Sequence, residues 1–358
     1  MEIKYMESLT GLRGLAVLIV FISHAANEGL LPYFFGHGFG QIGVMIFFLL
    51  SGFLMAHLYI SEDFNRVNVR KYILARIGRV VPLYFMVVFL SVLVSIYEPD
   101  FVFNLTDSST VFRALAFIDA PYIFWTIPVE VQFYFIFIGF WFIYKKNYRP
   151  TVLVLFFVLT LVPSIFLYAM YFKMPHIISL YSPAFFLGLL TALMHKKMVN
   201  SILIKKIMAV RYNLIIFLVF LNLPILREQY GFISSGSMYL RTWGDPITWC
   251  IVYSLFVCAV LSPMNVDLLN KNMLMYLGTI SYGFYLIHYP VLMFFKGIEV
   301  HALIQLFLTL VCTLIISHCS LWYFEKPIGL KFRNLLAISR GRTPVVDALA
   351  KKLFTPFL

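Results

Sequence analysis

Ten apolar stretches run along the chain, at about residues 9–26, 40–60, 80–97, 122–144, 151–172, 176–195, 212–226, 246–263, 273–296 and 300–324. Each approaches the roughly 20 residues a helix needs to cross a bilayer, and the seventh is the shortest. Polar and basic residues collect between them. The pattern predicts an all-α fold, a polytopic transmembrane helical bundle of about ten spans. The longest connections on the weakly charged side, 98–121 and 227–245, are too short for a domain of their own. The chain therefore divides into a transmembrane domain, 1–327, and a basic tail, 328–358, expected on the inner leaflet surface. There is no tandem repeat and no low-complexity tract.

Charge orients the bundle. With the N-terminus inside, the cytoplasmic segments carry 22 of the 28 lysines and arginines. The opposite side holds only Arg113, Lys173, Arg227, Arg241 and Lys296, and Arg13 lies within the first span. By the positive-inside rule both termini face the cytoplasm in a multi-pass membrane protein. Composition excludes a soluble domain, since 61% of the 358 residues are apolar and 12% are charged. The formal charge of +12 does not indicate nucleic acid, because the basic residues come in short clusters that set topology. The first apolar run lacks the basic flank and small-residue cleavage site of a secretory signal. Cys250, Cys258, Cys312 and Cys319 all lie in apolar stretches without CxxC spacing and are expected to be buried, inert thiols. No metal site is expected.

Charged groups inside apolar spans are expensive, so each one needs a reason. Arg13 and His24 are eleven residues apart, which puts them on nearly one helix face about 16 Å apart. One face of the first span thus carries a fixed cation in its inner half and a titratable base further out. Arg13 alone also suits snorkelling to the interface, and a lone histidine suits a structural hydrogen bond. Ser51-Gly52-Phe53 in the second span marks either close helix packing or a glycine needed beside a channel. Arg76 and Arg79 share a face at the cytoplasmic end of the third span, a geometry suited to phosphate oxygens or to membrane anchoring. Glu130 is the one carboxylate well inside a span and needs a polar partner, for which His24 and Arg13 are the candidates. Pro128 should kink the helix just before it. His288, in ISYGFYLIHYPVL, lies near the depth of His24 and is a rival base, with Pro290 expected to kink or end its helix. His318 reads as structural.

By depth, these residues form an arginine-rich entrance, a cation part-way in, and a His/Glu pair towards the outer side. An elongated, phosphate-bearing thioester such as acyl-CoA fits that order. His24 is suited to general-base work, with Glu130 setting its tautomer. A transporter of a glycan or small anion, with or without proton coupling, is the reading from a different class. Against it stand the absence of paired half-sequences and the otherwise unexplained Arg76/Arg79 pair.

Six ordered segments carry a family resemblance: LTGLRGLAVLIVFISHA, GVMIFFLLSGFLM, ARIGRVVPLY, FWTIPVEVQFYF, ISYGFYLIHYPVL and WYFEKP. Together they span positions 9–327, and the sequence resembles the acyltransferase-3 family of membrane-bound O-acyltransferases of bacterial surface carbohydrates. The resemblance implies an acyl-CoA donor, usually acetyl-CoA, with no permanently bound cofactor, and a sugar hydroxyl of a surface or lipid-linked polysaccharide as acceptor. It implies Arg13 and His24 as the core pair and Arg76 and Arg79 as donor contacts, with Arg13 beside the donor's path. Glu130 would support the site. Ser51, Gly52, Phe53 and a Glu325-Lys326-Pro327 turn look like framework. The expected partners are acyl-CoA, the carbohydrate acceptor and membrane lipid; a homo-oligomer or glycan-assembly proteins are compatible with the pattern. Val131 departs from the family, where a second polar or acidic residue often follows the glutamate. Some relatives continue into a hydrolase-like domain, whereas this sequence runs into a short basic tail, so direct transfer to the glycan is the expectation.

Overall fold

The computed structural model describes residues 6–146, 178–200, 242–261, 269 and 272–338, which form helices and their connections with no strand among them. The helices are α1 (Glu7–Asn27), α2 (Gly40–Tyr59), α3 (Arg66–Tyr97), the short α4 (Ser108–Leu115) and α5 (Thr126–Lys145). They continue with α6 (Ile178–Asn200), α7 (Pro246–Leu261), α8 (Asn272–Lys296), α9 (Ala302–Cys319) and α10 (Lys326–Ile338). Five helical stretches among the described residues are long and apolar enough to cross a membrane: Glu7–Asn27, Tyr33–Tyr59, Arg66–Tyr97, Tyr122–Lys145 and Ala302–Phe332. The spans expected at 151–172 and 212–226 lie outside the described residues, as does most of the tail.

Several boundaries differ from the apolar pattern for local reasons. Helix α3 starts 14 residues before its apolar run. Asn65 caps it by accepting the Asn68 amide at 2.9 Å, and the basic residues that follow are good helix formers. Pro128 does not kink a span; it sits in the first turn of α5, where a missing N–H costs nothing, after a 3-10 turn at Tyr122–Trp125. Pro290 neither ends α8 nor stops it short of Lys296. Glu325-Lys326-Pro327 is not a turn. A π-helical segment, Ser320–Glu325, leads directly into α10, and Pro327 occupies that helix's first turn.

The chain forms two compact units. In the first, Met1–Leu50 with Leu190–His318, α1 lies along α8 at backbone contact. A Cβ on Gly278 would fall 1.8 Å from the Thr10 carbonyl oxygen, and one on Gly14 2.0 Å from that of Leu274. Small residues at such crossings let helices approach where lipid supplies no hydrophobic drive. Ser8 ties α1 to α7 through a 2.7 Å bond from its hydroxyl to the Ala259 carbonyl.

The second unit, Ser51–Leu189 with Cys319–Leu358, has an aromatic core. Tyr72, Tyr84, Phe124, Phe133, Phe137, Phe140, Trp141 and Phe185 are fully buried. Polar edges of these rings find backbone partners: Tyr72 donates to the Tyr134 carbonyl at 3.0 Å, and Tyr84 to that of Ala114 at 3.2 Å. Gly52 meets the backbone of Phe185, whose carbonyl oxygen would lie 1.9 Å from an added Cβ. Helix α10 packs on α3, with Phe332 against Gly78.

Candidate active site

Each unit gathers polar side chains around residues that the sequence singles out. In the first unit, Arg13 is 8% exposed and His24 is half-buried on the same helix. The close α1–α8 crossing brings His288 and Tyr289 against His24, with ring centroids 5.3 Å and 4.9 Å away. His288 is completely buried and stacks at 11° on Phe284. Its Nδ1 donates to the carbonyls of Phe284 at 3.1 Å and Tyr285 at 2.7 Å. Among the described residues, the His24 ring has no hydrogen-bond partner.

Glu28, one turn beyond His24, completes this cluster. It accepts 2.8 Å from the Tyr289 hydroxyl on one oxygen and 2.6 Å from the Lys296 ammonium on the other. Partial burial works to raise its pKa, but the bonds from Lys296 and Tyr289 more than reverse this and hold the carboxyl below its ordinary value. Sequence reasoning passed over Glu28 because it lies just past the apolar run. Its i, i+4 spacing from His24 was the available signal.

In the second unit, Ser51 donates to Glu130 Oε1 at 2.6 Å and Tyr134 donates to the same atom at 2.7 Å. Glu130 was expected to partner His24 or Arg13; its hydrogen bonds go to Ser51 and Tyr134, and the carboxylate beside His24 is Glu28. Arg76, expected at the membrane surface, is 8% exposed. Its guanidinium lies 5.9 Å from the Tyr59 ring centre and bonds the Tyr59 side chain, while its buried Nε has no partner among the described residues. The Tyr134 phenol sits in the combined field of Glu130, Arg76 and Arg79, so these residues form one neighbourhood. Arg79 is half-buried and also acts electrostatically on Glu325, which accepts 3.0 Å from Ser320. Tyr59, Tyr72 and Tyr134 were not anticipated; only Tyr134, at i+4 from Glu130, carried a local signal.

The remaining candidates have ordinary roles. His318 is exposed and hydrogen-bonds the Tyr276 hydroxyl at 2.9 Å. None of the four cysteines forms a disulfide; Cys258 is buried as expected, whereas Cys250 and Cys319 lie on the exposed surface. Among the described residues no group of three or more histidine, cysteine or carboxylate side chains is placed to hold a metal.

Comparison with known proteins shows what this sequence is similar to. The profile of a family described as an acyltransferase domain matches residues 6–322. The putative peptidoglycan O-acetyltransferase YrhL of Bacillus subtilis is 24% identical over an alignment of 363 positions, covering 91% of this chain and 55% of that protein. The O-acetyltransferase OatA of Staphylococcus aureus is 22% identical, covering 92% of this chain and 58% of its own length. The peptidoglycan O-acetyltransferase OatA of Listeria monocytogenes is 26% identical over 163 positions, 40% of this chain and 25% of that protein. The chain thus spans little more than half of the longest-matching relatives. No solved structure matches it.

Proposed function

Since the chain belongs to the acyltransferase-3 family, we propose that it transfers an acetyl group from acetyl-CoA to a sugar hydroxyl of a cell-surface glycan, with His24 as general base. The observation that carries this reading is the His24 ring: half-buried, flanked by His288 and Tyr289, and without a hydrogen-bond partner among the described residues. A base free of such a partner is available to an incoming hydroxyl.

In the reaction, a ring nitrogen of His24 takes the proton of the sugar hydroxyl as its oxygen attacks the thioester carbon. The carbon–sulfur bond then breaks, the ester remains on the sugar, and the proton passes from His24 to the departing CoA sulfur. Arg76 and Arg79 hold the donor's phosphates through charge-assisted bonds. Arg13 supplies a fixed cation along the donor's path. Glu130 keeps Ser51 and Tyr134 in place beside Arg76, a supporting role. Two of the relatives are named for peptidoglycan, which favours a peptidoglycan sugar over other surface polysaccharides as the acceptor.

This reading sets the protein in the bacterial cytoplasmic membrane with about ten spans and both termini inside, as the distribution of lysine and arginine supports. The test is transfer of radiolabelled acetyl from acetyl-CoA into alkali-labile ester on glycan, in membranes carrying wild type or His24→Ala. The expected result is ester with wild type only. Label that crosses the membrane without becoming ester would favour the transporter, and full activity in His24→Ala would remove His24 from the base role.

A further inference from the structure

The environment of His288 dictates its tautomer. A carbonyl oxygen can only accept, so the bonds from Nδ1 to Phe284 and Tyr285 place a hydrogen on Nδ1. The neutral ring then carries its lone pair on Nε2. That atom is buried and, among the described residues, has no hydrogen-bond partner. Leaving a buried acceptor unpaired costs about 1–3 kcal/mol, so native structures rarely do it without a reason.

The His288 ring is surrounded by Phe21, Phe284, Tyr285, Tyr289 and His24. The Tyr289 hydroxyl is committed to Glu28. His24 lies beside it at 5.3 Å between ring centres and 58° between planes. Once the radii of the two rings are subtracted, that separation is within reach of an N–H···N bond of about 3 Å. The second side-chain torsion of histidine is broad, so a modest ring rotation closes it. Catalytic hydrogen bonds are often long before substrate arrives and tighten in the reacting complex.

We infer that His288 is a positioning residue for the transfer: its Nε2 accepts an N–H from His24, which leaves the lone pair of the other His24 nitrogen facing the acceptor hydroxyl. The inference rests on His24 as the base. Which ring nitrogen of a histidine is protonated is set by the bond the other one makes. The carbonyls of Phe284 and Tyr285 thus fix His288, and His288 fixes His24. During transfer, His24 gains the hydroxyl proton and returns it to the CoA sulfur, while the N–H held by His288 stays in place. His288 exchanges no proton. The other ionisable groups recorded around the pair are Glu28 on α1 and, from α8, Tyr289 together with Lys296, which is bonded to Glu28.

Two substitutions separate positioning from packing. In His288→Asn the amide N–H can still reach the carbonyls of Phe284 and Tyr285, but nothing reaches His24. In His288→Gln the longer amide puts an oxygen where Nε2 stood. Purified full-length variants in proteoliposomes would be assayed for transfer of labelled acetyl from acetyl-CoA, with detergent unfolding midpoints measured alongside. The expected result is a kcat lowered by roughly 10- to 100-fold in the Asn variant, with KM for acetyl-CoA unchanged. The Gln variant should recover most of that loss. Nitrogen-15 histidine spectra should show His24 in one tautomer in wild type and in a mixture in His288→Asn. Two outcomes would overturn the inference: wild-type kcat in both variants, or equal losses in both together with lowered unfolding midpoints. His24→Ala in the same series distinguishes the two readings. Activity retained there defeats the base assignment and this inference with it. Activity lost there, with both His288 variants at wild-type rate, defeats this inference alone.

Discussion

Ser51 of α2 and Tyr134 of α5 donate to the same oxygen of Glu130, at 2.6 Å and 2.7 Å. The bond from Ser51 joins two helices and the bond from Tyr134 spans one turn of α5, so a single carboxylate oxygen organises the polar centre of the second unit. Hydrogen bonds to charged groups contribute about 1.5–3 kcal/mol each, roughly twice the neutral value. Ser51→Ala should therefore lower the unfolding midpoint in detergent, while Ser51→Thr, which keeps a hydroxyl, should recover much of it. Equal midpoints for wild type and the alanine variant would show that the bond contributes nothing to stability.

Gly52, next to Ser51, allows no side chain. Its added Cβ would sit 1.9 Å from the Phe185 carbonyl oxygen, and backbone cannot yield as a flexible side-chain end can. Gly52→Ala should reduce the yield of monodisperse protein sharply. Gly139 on α5 faces open space, with nothing within 4 Å of a built Cβ. Gly139→Ala should express normally and serve as the control. Size-exclusion profiles compare the two, and a normal profile for Gly52→Ala would contradict the close crossing.

Arg76 and Arg79 are expected to differ although they share a helix face. Arg79 is half-buried, so Arg79→Ala should mainly raise the apparent KM for acetyl-CoA, by about tenfold if one charge-assisted bond is lost. Arg76 is 8% exposed beneath the Tyr59 ring, so Arg76→Ala should weaken folding as well as donor binding. Arg76→Lys should not restore KM, because an ammonium lacks the planar fork of the guanidinium. Saturation curves for acetyl-CoA together with unfolding midpoints test this. An unchanged KM in Arg79→Ala would remove that residue from the donor site.

Glu28 predicts an acid limit. Its folded-state pKa lies below the reference value of 4.5 because Lys296 and Tyr289 bond the charged form against the opposing effect of partial burial. A depressed carboxylate contributes stability that is present above the unfolded pKa and is lost as pH falls through the folded one. The wild-type unfolding midpoint should gain nothing from this group between pH 5 and 7 and should lose its contribution below about pH 4.5. In Glu28→Gln the midpoint should already be lower at pH 7, and the difference from wild type should shrink on acidification. A constant difference across that range would show that the ionised carboxylate is not responsible.

The sequence was sufficient for whatever depends on neighbours along the chain. Apolar run length gave the membrane class and the all-helical fold, because each helix satisfies its own backbone hydrogen bonds without reference to any other. Helical periodicity placed Arg13 and His24 on one face. The order of motifs identified the family. Where local chemistry opposed the hydrophobic pattern, the reading slipped: Pro128 and Pro327 fall in first turns, where proline fits without breaking a helix.

Only the tertiary structure decided which groups meet. Glu130 finds Ser51 across 79 residues, Glu28 finds Tyr289 across 261, and His24 lies against His288 through a crossing that Gly14 and Gly278 make possible. Periodicity shows which side of a helix a residue occupies and carries no information about the helix it faces. Arg76 shows the same divide: its charge and spacing were legible along the chain, but its burial beneath Tyr59 came from the packing of α3 among its neighbours. The partner of a charge inside a membrane is set by helix–helix contact, and that contact depends on side-chain volumes far apart in sequence.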